Sequence, residues 1–295
     1  VAMPEEIFSC RADGKNLTQL SFLNQKLLDQ IEFNPVEDFT FPGFDGQTVH
    51  GLLVKPPFFD AAKKYPLLYL IHGGPQGMWD DSFHYRWNAS MFASPGYVVA
   101  MVNFRGSKGY GQEWCDAVSK NWGDGPYHDL MAGIDFLLQE YDFINPEKLV
   151  AAGASYGGFM INWIATQTDR FKALVCHAGI FDQLSMYGAT EELWFPECEF
   201  DGTPYENPAL YEKYSPNRYV MNWKNFSTPT LITHGEHDYR VPVTQAYQAF
   251  TALQRMKVPS RLIYFPDETH FITKPQNAKL WWSEVFNWFA KWLEK

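Results

Sequence analysis

Gly153-Ala154-Ser155-Tyr156-Gly157 is the stretch on which the fold turns. It follows a short apolar segment, Lys148 to Ala152, and precedes a helix-like one, Phe159 to Ala165. A serine hydroxyl is a poor nucleophile unless the backbone presents it openly and a base removes its proton. A sharp strand–turn–helix with glycine at both flanks does the presenting, because a side chain at either flank would crowd the turn. The helix that follows aims its positive end at the place where negative charge develops. The five letters alone also fit a glycine-rich turn whose serine caps a helix, so the surrounding pattern has to decide.

That pattern alternates strands and helices. Tyr65 to Ile71 and Tyr97 to Val102 are continuous apolar runs, as expected of strands covered on both faces. Thr48 to Lys55 alternates like a half-exposed strand. Leu149 to Ala152, Ala173 to Cys176, Thr230 to Thr233 and Arg261 to Phe265 complete the expected strands. Helical spacing marks Asp129 to Tyr141, ended by Asn145-Pro146, then Thr244 to Met256 and Asn277 to Leu293. Such alternation predicts a mostly parallel sheet with helices on both faces. Ile7 to Cys10 and Leu17 to Leu20 read as two short strands around an Asp13-Gly14 turn.

Sites in these sheets lie beyond the carboxyl ends of the strands. Three candidate groups fall there in the chain order Ser155, Asp238, His270, the order of an α/β-hydrolase. Ser155 is the expected nucleophile, His270 the general base, and Asp238 the group that fixes the imidazole's tautomer. His270 stands out among eight histidines because it follows the strand expected to be last. The Tyr156 amide is the expected first oxyanion donor. The loop after Tyr65 to Ile71, with Gly73 and Gly74, is the expected second, although an ordinary tight turn suits Gly-Gly-Pro as well. His234 and His237 with Glu236 invite a metal reading, but H-x-x-H on a loop is weak evidence and the end of a strand explains their place better. No cofactor and no metal is called for.

Composition narrows the classes. A net charge of −10 without a basic cluster argues against a nucleic-acid partner. No apolar run approaches the ~20 residues that span a bilayer. Four cysteines, Cys10, Cys115, Cys176 and Cys198, show neither C-x-x-C spacing nor disulfide-rich density.

The chain resembles the prolyl oligopeptidase family of serine peptidases from about Val36 to Lys295. The likeness is carried by His72-Gly73-Gly74-Pro75, Asn103-Phe104-Arg105-Gly106-Ser107, Gly109-Tyr110-Gly111, Trp122-Gly123, Gly153 to Gly158, His234 to Pro242 and Thr269-His270. Glu191 to Pro196 and Ser215 to Tyr219 resemble its dipeptidyl-peptidase V branch, beside the acylaminoacyl-peptidase one. The resemblance implies that Arg240 binds a substrate carbonyl or carboxylate. It implies that Val241 and Tyr156 line the pocket for the side chain before the scissile bond, with Phe181, Tyr187 and Trp194 joining them. His72 stands where one branch has a tyrosine hydroxyl in the oxyanion hole, which favours a backbone donor from Gly74.

Family members carry an N-terminal β-propeller. Residues 1–35 are accordingly expected to be the end of a blade and a linker, and residues 36–295 the catalytic domain, with a propeller as partner. The expected activity is hydrolysis of short peptides with release of N-terminal dipeptides. Acylaminoacyl-peptidase, carboxylesterase and non-catalytic interaction module are the alternatives. The expected compartment is periplasmic or secreted, with the cytoplasm left open.

Overall fold

The computed structural model describes Val1 and residues 3–295. Among these, one eight-stranded sheet organises the chain. Its strands are β3 (Val36–Pro42), β4 (Thr48–Val54), β5 (Tyr65–Ile71), β6 (Val98–Asn103), β7 (Ile144–Ala154), β8 (Ala173–His177), β9 (Thr230–Gly235) and β10 (Ser260–Phe265). A separate ribbon pairs β1 (Phe8–Ser9) with β2 (Thr18–Gln19) and leaves Ile7, Leu17, Leu20 and Leu23 exposed. The sheet order is β10-β9-β8-β7-β5-β6-β4-β3. In that order the six strands from β10 to β6 run parallel, β4 runs against them, and β3, antiparallel to β4, turns back to their direction. The order reverses where β7 passes to the far side of β5, the switch point at which such sheets bind ligands.

The helices are α1 (Gln25–Leu28), α2 (Ala89–Ala93), α3 (Gln112–Asp116), α4 (Gly125–Glu140), α5 (Tyr156–Gln167), α6 (Gln183–Tyr187), α7 (Trp194–Glu199), α8 (Pro208–Lys213), α9 (Thr244–Arg255) and α10 (Pro275–Leu293). Strand alternation sorts the core into two layers. Leu67, Tyr69 and Ile71 of β5 point to a cluster that includes Ile134 of α4, Phe159 and Trp163 of α5, and Leu253 of α9. Leu68 and Leu70 point the other way, to Phe92 of α2 and Trp281, Val285 and Phe289 of α10. A strand buried on both faces reads as an unbroken apolar run because each residue belongs to one of the two cores.

One expectation fails. Asn145-Pro146 does not end a helix: α4 stops at Glu140, and the pair sits inside β7. The register against β5 jumps there, from Tyr65↔Ile144 to Leu67↔Leu149, and a bulge is where a strand tolerates proline. β3 was not among the expected strands. It is an edge strand whose Phe39 and Phe41 point inward among Glu37, Asp38 and Thr40.

Arg105 fastens the start of α4 to the end of β6. Its guanidinium donates to both oxygens of the fully buried Asp129, at 2.8 and 3.0 Å, and lies over the ring of Phe44. Removing one partner of a buried pair leaves the other charge stranded, at a cost of roughly 3–5 kcal/mol. Arg105→Met is expected to lose that much in denaturant unfolding. Asp129→Leu added to it should restore most of the loss, and equal stability of Arg105→Met and the parent would contradict this account.

Candidate active site

The turn after β7 is crowded to the limit. A Cβ on Gly153 would strike the Gly157 carbonyl, one on Gly157 would strike the Ile71 carbonyl, and one on Gly158 would come within 2.6 Å of Gly179 Cα. Between them Ser155 has φ 60° and ψ −121°, a left-handed backbone that side chains rarely adopt. Its amide donates to the His177 carbonyl at the end of β8, and its half-buried side chain stands at the N-terminus of α5. Gly73, at the end of the neighbouring β5, lies so close that a Cβ there would sit 3.2 Å from Ser155 Cβ.

The loops after β9 and β10 bring the other two groups together. His270 Nδ1 is 2.7 Å from Asp238 Oδ2. The carboxylate is buried. Its Oδ1 accepts the amides of Arg240 and Val241 at 3.2 and 2.9 Å. Burial alone would raise the Asp238 pKa; hydrogen bonds from His234 and His270 outweigh it and hold the carboxyl well below its usual range. The two loops touch at Gly235, where a Cβ would strike the Thr269 carbonyl. Ser155 and His270 border one cavity of about 390 Å³, and among the described residues no hydrogen bond joins them. Such contacts tighten when substrate enters.

A family model described as the prolyl oligopeptidase family matches residues 83–295. The chain belongs to the prolyl oligopeptidase family. It is 43% identical over 278 residues to dipeptidyl-peptidase 5 of Schizosaccharomyces pombe, covering 92% of this chain and 40% of that protein. It is 44% identical over 259 residues to dipeptidyl-peptidase 5 of Aspergillus oryzae, covering 87% of this chain and 35% of that one. The chain therefore spans less than half the length of these relatives. Among solved structures, an acylaminoacyl peptidase of Pyrococcus horikoshii superposes with a TM-score of 0.89 at 28% identity, covering 98% of this chain and 46% of that one. An acylaminoacyl peptidase in complex with Z-Gly-Gly-Phe-chloromethyl ketone gives 0.88 at 29% identity, covering 95% and 45%.

In this prolyl oligopeptidase family member a second hollow, of about 240 Å³, opens on the other side of Ser155. Tyr156, Trp194 and Val241, expected at a side-chain pocket, line it, together with Gly74, Arg240, Trp122, Phe195 and Glu192. The Tyr156 and Gly74 amides have no acceptor among the described residues. Glu192 accepts from Arg240 Nε at 3.0 Å. Two expected residues are elsewhere. Phe181 is buried against Trp223, its amide tied to Gln245 of α9, so its ring enters the core. Tyr187 is turned away by the bond from its hydroxyl to Glu197, with its ring edge-on to Tyr205 and Tyr211. His72 supplies no oxyanion donor. Its ring stacks on Phe104, bonds Ser107 Oγ at 2.8 Å, and burial lowers its pKa to about 4.

Sequence reading names His234 only to set aside a metal role and gives His177 no role; both stand beside the candidate groups. His234 Nε2 lies 2.7 Å from the Val241 carbonyl and 3.2 Å from Asp238 Oδ2, a second imidazole on the same carboxylate. The other, His177, ends a chain of hydrogen bonds. Trp281 donates to Thr233 Oγ1, which meets His177 Nδ1 at 2.9 Å, and His177 Nε2 reaches the His270 carbonyl at 3.3 Å. Burial, with His234 and His270 nearby, lowers its pKa to about 3. The available signal was position: His177 ends β8 and His234 is the last residue but one of β9, each beside a candidate group.

Gly235→Ala must force the Asp238 and His270 loops apart and should cut turnover at least tenfold with the protein still folded by circular dichroism. Full activity would show that the loops have slack. For acid stability the sign is fixed by His72 and His177, whose folded pKa values of about 4 and about 3 lie below the ordinary ~6.5. Between those limits the unfolded chain binds protons that the fold refuses, so stability is lost as pH falls from ~6.5 toward ~3. The melting temperature should be flat from pH ~6.5 to ~8 and decline toward pH ~4; a rise on acidification would refute the assignment.

Proposed function

We propose that this chain is the catalytic part of a serine peptidase that releases dipeptides from the amino termini of short peptides. The observation that carries the reading is the His270 imidazole clamped to a buried Asp238 on the wall of the cavity that Ser155 enters from a left-handed turn. The dipeptidyl specificity is drawn from the relatives named dipeptidyl-peptidase 5.

In the proposed reaction His270 Nε2 takes the Ser155 proton as Oγ bonds to the substrate carbonyl carbon. Asp238 holds the imidazole through Nδ1 and steadies its positive charge. The carbonyl oxygen, now negative, receives the Tyr156 and Gly74 amides at the positive end of α5. The C–N bond breaks as His270 returns the proton to the leaving amine. Water, deprotonated by the same imidazole, then releases the acyl group and restores Ser155. The side chain before the scissile bond enters the hollow between Tyr156, Trp122, Phe195 and Val241, and the Arg240 fork takes a substrate carbonyl.

Ser155→Ala is expected to lower kcat on dipeptidyl arylamides by on the order of 10⁴-fold or more, and Asp238→Asn by about 10⁴-fold. Retained turnover in Ser155→Ala would end the assignment. A second reading, release of acylated amino acids, has the likeness to acylaminoacyl peptidases on its side. Matched acetyl-aminoacyl and free-amine dipeptidyl arylamides separate the two: a higher kcat/KM on the acetylated member would move the assignment to the second.

A further inference from the structure

This inference rests on the peptidase reading and deepens it. The leaving amine must lie beside the imidazole that protonates it, so the leaving group occupies the cavity bordered by His270 and Phe271, opposite the hollow of Arg240 and Val241. That cavity has two cationic side chains on its wall, Arg86 and Lys108. Neither has a carboxylate within 4 Å among the described residues, whereas Arg240 and Arg105 both do. Arg86 is half-buried, and its guanidinium lies 3.9 Å from the centre of the Phe271 ring, next in sequence to His270. Stacking fixes the plane of the fork and leaves its edge N–H groups to meet an anion. A partly desolvated cation without a counter-ion is costly to keep and is stabilised by whatever anion reaches it.

The other titratable groups on this wall do not fill that need. Asp80 is exposed, and its side chain accepts from the amide and hydroxyl of Ser82. His84 Nδ1 accepts from the amides of Arg86 and Trp87, and burial lowers its pKa; burial lowers those of His72 and His177 to about 4 and about 3; and the Val1 ammonium is already paired with Asp81 at 2.6 Å. We infer that the leaving-group side of the site binds the free α-carboxylate of a short peptide, with Arg86 as its bidentate ligand and Lys108 as a second, more exposed cation. The cavity's volume of about 390 Å³ suits a leaving fragment of one or so residues rather than a long chain. The preferred substrates are then peptides whose carboxyl terminus lies close behind the scissile bond.

The test is direct binding of trialanine and trialanine amide to the 295-residue chain carrying Ser155→Ala, by calorimetry. A charge-assisted bidentate contact should favour the acid by roughly ten- to a hundredfold in Kd. Arg86→Met should bring the ratio near one, Arg86→Lys should keep part of it, and Lys108→Met should trim it less. Equal Kd values for acid and amide overturn the inference, as does an unchanged ratio in Arg86→Met. Because Lys108 is exposed and the parent ratio needs no change at residue 86, a misfolded Arg86→Met would not remove the test. Turnover of a dipeptidyl arylamide, whose leaving group has no carboxylate, reports separately on the peptidase reading. Its absence would sink that reading while the acid-to-amide ratio still decides this one.

Discussion

A negative charge held away from water at Asp238 governs the arrangement of the candidate site. Both oxygens are committed: Oδ1 to two backbone amides of its own loop, Oδ2 to two imidazoles from different strand ends. An unpaired carboxylate in that position would be expensive, so the loops after β9 and β10 are locked to one another by the need to keep it solvated by protein. The lock reaches further through Gly235, which has no side chain to separate the loops. It reaches as far as α10 through Trp281, Thr233 and His177, which support the His270 carbonyl.

The sheet decides where that lock is placed. Parallel strands with two buried faces leave only their ends free for polar groups. The reversal of order between β5 and β7 sets the Gly73-Gly74 loop beside the Ser155 turn. Serine, imidazole and carboxylate thus come from the ends of β7, β10 and β9, with β8 contributing the carbonyl that receives the Ser155 amide. Arg105 and Asp129 perform a quieter task, anchoring α4 beneath the same edge from the side of β6.

Much of this was legible because the signals were local. Glycines at 153 and 157 announce a turn too tight for side chains, and Tyr65 to Ile71 announces a strand with no exposed face. The chain order of Ser155, Asp238 and His270 then follows from strand ends alone. What was not legible depends on contacts between distant segments. The excursion between β8 and β9 holds α6, α7 and α8, short helices stabilised by packing rather than by periodicity, so the direction of each aromatic ring is set by its neighbours. Phe181 was misplaced because Gln245, sixty-four residues on, turns its backbone inward. Tyr187 was misplaced because Glu197 captures its hydroxyl. The roles of His177 and His234 could not be read from residue type, since a histidine beside a strand end is as often a core residue as a support for a neighbour.

The left-handed backbone at residue 155 also restricts which nucleophilic atoms this scaffold is able to host. A β-branched residue is strongly disfavoured at positive φ, because its second γ atom meets the adjoining peptide. Threonine, though chemically equivalent as an alcohol, is therefore shut out by conformation. Cysteine, unbranched and nearly isosteric, is the substitution the turn accommodates. The route from an oxygen to a sulfur enzyme is open on this frame, and the route to a secondary alcohol is closed.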